Sequence, residues 1–159
     1  MAKKNAKVNT QPFWRFAFVL YCAVMLWLLF GRSHGWGSGI PYRQMLENNI
    51  NLIPLLTIRN YWSVVSQGPE NRYFIHCVIN LLGNLLLFIP AGWLIPKVFS
   101  TQRNFFRFFA TCAGLIFLVE TIQLFTLLGS FDIDDLILNL IGMTLGFIFY
   151  HICKSKRRP

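Results

Sequence analysis

The sequence predicts an all-α fold: a polytopic integral membrane protein built as a four-transmembrane-helix bundle with one long extracytoplasmic loop. Three observations carry this. Four apolar runs are long enough, or nearly so, to cross a bilayer. Basic residues collect in the short segments beside those runs. The chain is 55% hydrophobic and only 13% charged, where a soluble domain carries roughly 25% charged residues.

The first run, 16–31, follows Lys3, Lys4, Lys7 and Arg15. The residues after it, Arg32-Ser33-His34-Gly35-Trp36, contain no small-residue cleavage signal, so it reads as an uncleaved anchor rather than a signal peptide. The second run, 73–95, has 23 residues, which at about 1.5 Å each cross a hydrocarbon core of about 30 Å. Pro90 and Gly92 are expected to kink its inner end. The third run, 108–131, is rich in Phe and Leu but holds Glu120 and Gln123. The fourth, 133–153, starts in Asp132-Ile133-Asp134-Asp135 and stops at Lys154, Lys156, Arg157 and Arg158. Residues 16–153 thus read as a single membrane domain between two basic tails, 1–15 and 154–159.

Orientation follows from the basic residues. With the N terminus in the cytoplasm, the inner side holds Lys3, Lys4, Lys7, Arg15, Lys97, Arg103, Arg107, Lys154, Lys156, Arg157 and Arg158, and the outer side only Arg32, Arg43, Arg59 and Arg72. Both termini are therefore expected in the cytoplasm. The net charge of +9 is no sign of nucleic-acid binding, because these residues form juxtamembrane clusters rather than one solvated face. Cys22, Cys77, Cys112 and Cys153 are scattered within apolar runs without ligand spacing and read as packing residues. The 32–72 connection is too long for a turn, and its apolar segment 50–56 is too short to span. The segment is expected to lie in the interface or dip into the outer leaflet, with Tyr61 and Trp62 at headgroup depth.

Polar groups in hydrocarbon are costly unless paired, so their spacing is the most informative pattern in the chain. His76, Asn80, Gly83 and Asn84 share one face of the second run, and Asp132, Asp135, Asn139, Gly142 and Gly146 share one face of the fourth. Glu120 and Gln123 share a face of the third, while Asp134 points elsewhere. At about 1.5 Å per residue, Asn80, Asn139, Gln123 and Glu120 lie at a common depth of about 10–16 Å below the outer surface. Three helices can thus build one outward-opening polar pocket, with Gly83, Gly142 and Gly146 permitting close backbone approach. Asn and Gln on inward faces serve equally well as interhelical glue, and the acidic stretch would cap the fourth helix. A carboxyl at the depth of Glu120 must instead be protonated, paired or open to water.

The same residues carry a resemblance. Asn51-Leu52-Ile53-Pro54, Asn80-Leu81-Leu82-Gly83-Asn84 with Phe88-Ile89-Pro90-Ala91-Gly92, Glu120-Thr121-Ile122-Gln123, and the run from Phe131-Asp132-Ile133-Asp134-Asp135 to Asn139-Leu140-Ile141-Gly142 follow in order the pattern of the VanZ-like membrane proteins. The resemblance spans roughly residues 50 to 150. It implies a bacterial envelope protein, since the founding member is associated with low-level resistance to teicoplanin, but it supplies no mechanism. Many members carry an Arg before the Phe-Asp-Ile-Asp-Asp segment, where this chain has Leu128-Gly129-Ser130. The anion contact of such an Arg is not carried over.

Two classes of function fit. In the first, the pocket and long loop bind a lipid-linked cell-wall precursor or glycopeptide-like amphiphile at the outer leaflet, through His76, Asn80, Asn84, Glu120, Gln123, Asp132, Asp135 and Asn139. The aromatics Trp36, Tyr42, Tyr61 and Trp62 would support it at the interface. In the second, a membrane-embedded hydrolase or transferase acts on a lipid or lipid-linked sugar with Glu120 as general base. An oligomeric transporter is a further alternative, and the oligomeric state is open. Membrane lipids are the expected partners and no cofactor is expected. Asp132 and Asp135 are weak candidates for a cation, and no Ser/Cys nucleophile elbow or phosphate loop is present.

Overall fold

Without water to pair with, backbone N–H and C=O groups in a bilayer must be satisfied within the segment, and apolar runs of this length therefore fold as helices. The computed structural model describes residues 11–31 and 39–155; most of both tails and Trp36 lie outside that range. In chain order the elements are α1 Gln11–Phe30, α2 Tyr42–Asn48, β1 Ile50–Asn51, α3 Leu56–Ser66, α4 Phe74–Val98, α5 Phe105–Thr126, β2 Phe131–Asp132 and α6 Ile133–Ser155, with a short 3-10 turn Ser100–Arg103 before α5. Helices α1, α4, α5 and α6 are each long and apolar enough to cross a membrane.

The four spans match the four runs, with shifted ends. Helix α1 starts inside the segment expected as tail, and α4 continues through both Pro90 and Pro96 to Val98. Helix α5 starts at Phe105, where the Asn104 side chain caps the Arg107 N–H at 3.2 Å. It ends five residues before the expected 131. Leu127 turns left-handed at φ 54°, and the Gln123 carbonyl takes the N–H groups of Leu128 and Gly129. The residues beyond are claimed by another partner: Phe131 and Asp132 pair in parallel with Ile50 and Asn51 of the long connection, and the Phe131 N–H donates to Asn49 O at 2.8 Å.

Side-chain contacts fix the directions of the spans. Trp14 packs edge-on against Trp93 and, further along α1, Tyr21 Oη reaches back to Leu87 O, so α1 and α4 are antiparallel. Phe105 and Phe108 both meet Phe147, so α5 and α6 are antiparallel too. Residues 11 and 155 consequently lie at one end of the bundle, and the 39–73 connection at the other. Helices α4 and α6 run parallel with backbones in near contact, because Gly142 lies against the Leu85 carbonyl, Gly146 against that of Ile89, and Gly92 against that of Met143. Gly92 therefore acts as a packing residue, and Gly83, expected in that role, has nothing within 4 Å of where a Cβ would stand. The core joins Phe88, Ala91 and Ile95 of α4 to Phe108, Cys112 and Ile116 of α5 and Met143 and Phe147 of α6. All four cysteines are free thiols, two of them buried, as packing residues should be.

Helix α1 is attached differently. Met25 is its one buried residue, and polar tethers do much of the holding: Tyr21 Oη donates to Leu87 O at 2.8 Å, and Gln123 Nε2 to Leu29 O at 3.0 Å.

These contacts predict opposite outcomes at two glycines. Gly142→Ala drives a methyl into the Leu85 backbone and should cost about 1–3 kcal/mol, seen as a lower melting temperature in detergent. Gly83→Ala should melt at or above the wild-type temperature, because it meets no neighbour and improves helix propensity.

Candidate binding site

The acidic segment at the start of α6 divides into two halves with different tasks. Asp132 and Asp134 hold the long connection onto the bundle. Asp134 is fully buried, and its carboxylate accepts the Leu55 N–H at 2.5 Å and the Ile58 N–H at 3.1 Å. Asp132, 6% exposed, accepts Thr57 Oγ1 at 2.6 Å and Asn51 Nδ2 at 3.2 Å, while its Oδ1 also receives the Asp134 N–H. Asn51 in turn reaches Thr57 Oγ1 and takes the Ile53 N–H. Asp134 does point away from the face of Asp135, as its spacing predicts, and what it meets there is the connection. It sits one residue off the Asp135 face, but the connection wraps around that side of α6 and buries it.

Asp135 faces the other way, into the bundle. Asn84 Nδ2 donates to Asp135 Oδ1 and contacts Asn80 Oδ1 at 3.3 Å, and Asn80 Nδ2 donates to Tyr61 Oη at 3.2 Å. Glu120 is 4% exposed and lies in the buried stripe of α5 with Phe108, Cys112 and Ile116. Asn139, one turn along α6 from Asp135, is 3% exposed and its Oδ1 has no hydrogen-bond donor. Tyr61 belongs to α3 rather than to a span. Burial first, then the nearby Asp135, pushes its phenol above the ordinary tyrosine range, so it stays a neutral hydroxyl. The result is a polar relay from Tyr61 through Asn80 and Asn84 to Asp135.

Of the residues expected to share one pocket, Asn80, Asn84, Glu120, Asp135 and Asn139 are brought to the same faces, and His76 stands at the margin with its ring edge-on to Tyr61 at 6.2 Å. Gln123 is not among them. Its amide turns to α1 and the Leu29 carbonyl, because three residues along a helix is a rotation about 60° short of a full turn, enough to change the neighbour it meets. The Asp132 carboxylate serves the connection. Among the described residues no group of three or more His, Cys, Asp or Glu side chains could hold a metal ion, and Asp132 spends its oxygens on Asn51, Thr57 and the Asp134 N–H. Sequence spacing missed Asn51, Thr57 and Tyr61, which come from the connection. The signal available for them was the pairing of Asn51 with the acidic stretch in the motif set.

The opening also differs from the expected outward one. The connection roofs the end of the bundle at which α6 begins, through Asn51, Leu55, Thr57, Ile58 and Tyr61, and Tyr61 points inward, whereas its neighbour Trp62 is 67% exposed. What remains open is a groove of about 180 Å³ between α1 and α4, lined by Leu28, Leu29, Ile79 and Leu87 together with His76, Asn80, Gly83 and Asn84. It lies between two membrane-spanning helices, and the bare Cα of Gly83 is part of its wall.

A model of the VanZ/LLP1 family matches residues 18–154. The chain is similar to Protein VanZ of Enterococcus faecium, with 28% identity over 132 residues, covering 82% of this chain and 69% of that protein. No solved structure matches.

The division of the aspartates is directly testable. Asp134→Ala strands two backbone donors that the native carboxylate satisfies, which should cost about 2–4 kcal/mol. Limited proteolysis should then cut within 39–72 much faster than in the wild type. Asp135→Asn should leave the cleavage rate unchanged.

Proposed function

The chain belongs to the VanZ/LLP1 family, and from that membership and the groove between α1 and α4 we propose that it binds an amphiphile from the outer leaflet and thereby contributes to teicoplanin-type antibiotic resistance in the bacterial envelope. The amphiphile is a lipid-linked cell-wall precursor or a glycopeptide carrying an acyl chain. One observation supports the reading: the amides of Asn80 and Asn84, tied to Tyr61 and Asp135, line a groove between two spans whose other walls are Leu28, Leu29, Ile79 and Leu87. An amphiphile can lay its tail along Leu28, Leu29 and Leu87 while its head group meets His76, Asn80 and Asn84. Asp135 lies behind these amides, and Asn139 Oδ1 offers an acceptor that lacks a donor.

The basic-residue count puts both termini in the cytoplasm, so the connection and groove face the outer leaflet, where such an amphiphile resides. A second reading, a hydrolase or transferase with Glu120 as general base, is favoured by the burial of that carboxyl within a span, where a purely structural role is costly.

Three variants separate these readings in a teicoplanin-sensitive host that the wild-type chain protects. Gly83→Leu places a side chain into open space, so it should insert at wild-type abundance yet abolish both protection and saturable teicoplanin binding in nanodiscs. Glu120→Gln and Asp135→Asn should also reach normal abundance and lose protection, because the isosteric amides keep the shape and remove the charge or proton. Full protection by all three at normal abundance would overturn the proposal. A product seen by mass spectrometry with the wild type and absent with Glu120→Gln would replace binding by catalysis.

A further inference from the structure

Helix α3 directs its polar face into the bundle and its apolar face outward, the reverse of a segment that borders water. Thr57 and Tyr61, one turn apart, carry their hydroxyls inward, where Thr57 Oγ1 donates to Asp132 Oδ2 at 2.6 Å and Tyr61 Oη accepts from Asn80 Nδ2 at 3.2 Å. On the other side Leu52, Ile53, Leu55 and Trp62 are each more than half exposed. Ile53, Pro54, Leu55, Ile58, Arg59 and Trp62 line a shallow pocket there, of about 510 Å³.

This apolar face is held in place from beneath. Asn51 Oδ1 takes the Ile53 N–H at 3.2 Å, and the Asp134 carboxylate takes those of Leu55 and Ile58. Leu55 is kept at φ 65°, a conformation that residues with a side chain seldom adopt, and its side chain is left in the pocket wall. The serine hydroxyls of α3 are satisfied without water: Ser63 Oγ donates to Asn60 O at 2.7 Å and Ser66 Oγ to Ser63 O at 2.9 Å. Thr121 and Thr144 do the same within the spans.

A fixed, contiguous apolar surface marks a site of interaction. This one stands at the end of the bundle where α6 begins, so its neighbour is lipid, and an exposed indole such as Trp62 belongs at headgroup depth. Arg59 is the one charged residue on the pocket wall. Among the described residues no carboxylate pairs with it, whereas Arg43 is matched by Glu47. A guanidinium at the rim of an apolar pocket suits the phosphate of a lipid whose chain lies in that pocket.

We propose that the pocket seats an acyl chain of an anionic phospholipid from the leaflet at that end of the bundle, with the lipid phosphate on Arg59 and the Trp62 indole beside it. The connection is then held from two sides, by Asp132 and Asp134 beneath and by lipid above. The site is separate from the α1–α4 groove, and its test does not involve resistance.

The probes are phosphatidylglycerol and phosphatidylcholine with the same photoreactive acyl chain, each in nanodiscs that hold the full-length protein. On the wild type, phosphatidylglycerol should label 52–62 about fivefold more than phosphatidylcholine, the factor that one basic residue beside an anionic headgroup supplies. Arg59→Gln should bring the two lipids to parity. Leu55→Gly removes an apolar wall and relieves the left-handed backbone, so 39–72 should resist limited proteolysis as in the wild type while labelling of 52–62 by both lipids falls severalfold. Labelling of 52–62 no stronger than that of the exposed face of α5, or a lipid preference unchanged by Arg59→Gln, would overturn the site. Inorganic phosphate at millimolar concentration should leave the labelling unchanged, and displacement by it would overturn lipid as the source of the phosphate.

Discussion

The grip of the Asp134 carboxylate on the Leu55 and Ile58 N–H groups is the constraint on which the outer half of this protein depends. Burying a carboxylate is expensive unless its oxygens are matched. Here each oxygen meets a backbone donor, and the residue stands in the first turn of α6, where the helix dipole favours a negative charge. The geometry also exacts a local strain, since Leu55 is left-handed at φ 65°, a conformation that costs a non-glycine residue about 1–2 kcal/mol. Two hydrogen bonds to a charged acceptor, at about 1.5–3 kcal/mol each, outweigh it. Once this connection is fixed, the β1–β2 register follows, Thr57 and Asn51 fall onto Asp132, and Tyr61 is lowered onto Asn80.

The four intramembrane and near-membrane carboxyls therefore do unlike work despite their closeness in sequence. Asp132 and Asp134 are fastenings, whereas Asp135 turns into the bundle to Asn84, and Glu120 is buried in the inner stripe of α5. The α1–α4 seam is the natural point of access, because α1 buries little and α4 is polar where they part.

How far the sequence alone could see is itself a physical matter. Spans are dictated by the bilayer, a strong and local constraint, so the four runs emerged with only their ends displaced. Faces are dictated by helical period, and Asn80, Asn84, Glu120, Asp135 and Asn139 were assembled from spacing. What spacing cannot carry is the path of a neighbouring segment. Gln123 lies on nearly the right face yet meets α1, and Gly83 lies on the glycine face yet lines a gap. Asp134 was set apart from the pocket face, and rightly, but the helical wheel has no knowledge of the connection that wraps and buries it. The early end of α5 was hidden for the same reason, since the residues that look like its continuation are recruited by a two-residue strand more than eighty positions away.

The glycine contacts between α4 and α6 bear on the order in which the molecule is assembled. Helix α1 leaves the ribosome first but has least to pack against, and α4 enters the bilayer before its parallel partner exists. The tightest interface of the fold, Leu85 with Gly142 and Ile89 with Gly146, joins helices that are not neighbours in the chain, so it waits until α6 has been threaded through the membrane. Until then the amides of Asn80 and Asn84 face lipid without Asp135, an unfavourable interim that a membrane chaperone would recognise. Quality control of this protein is thus a matter of its last helix: a chain stopped short of Gly142 carries most of the hydrophobic spans and none of the closure.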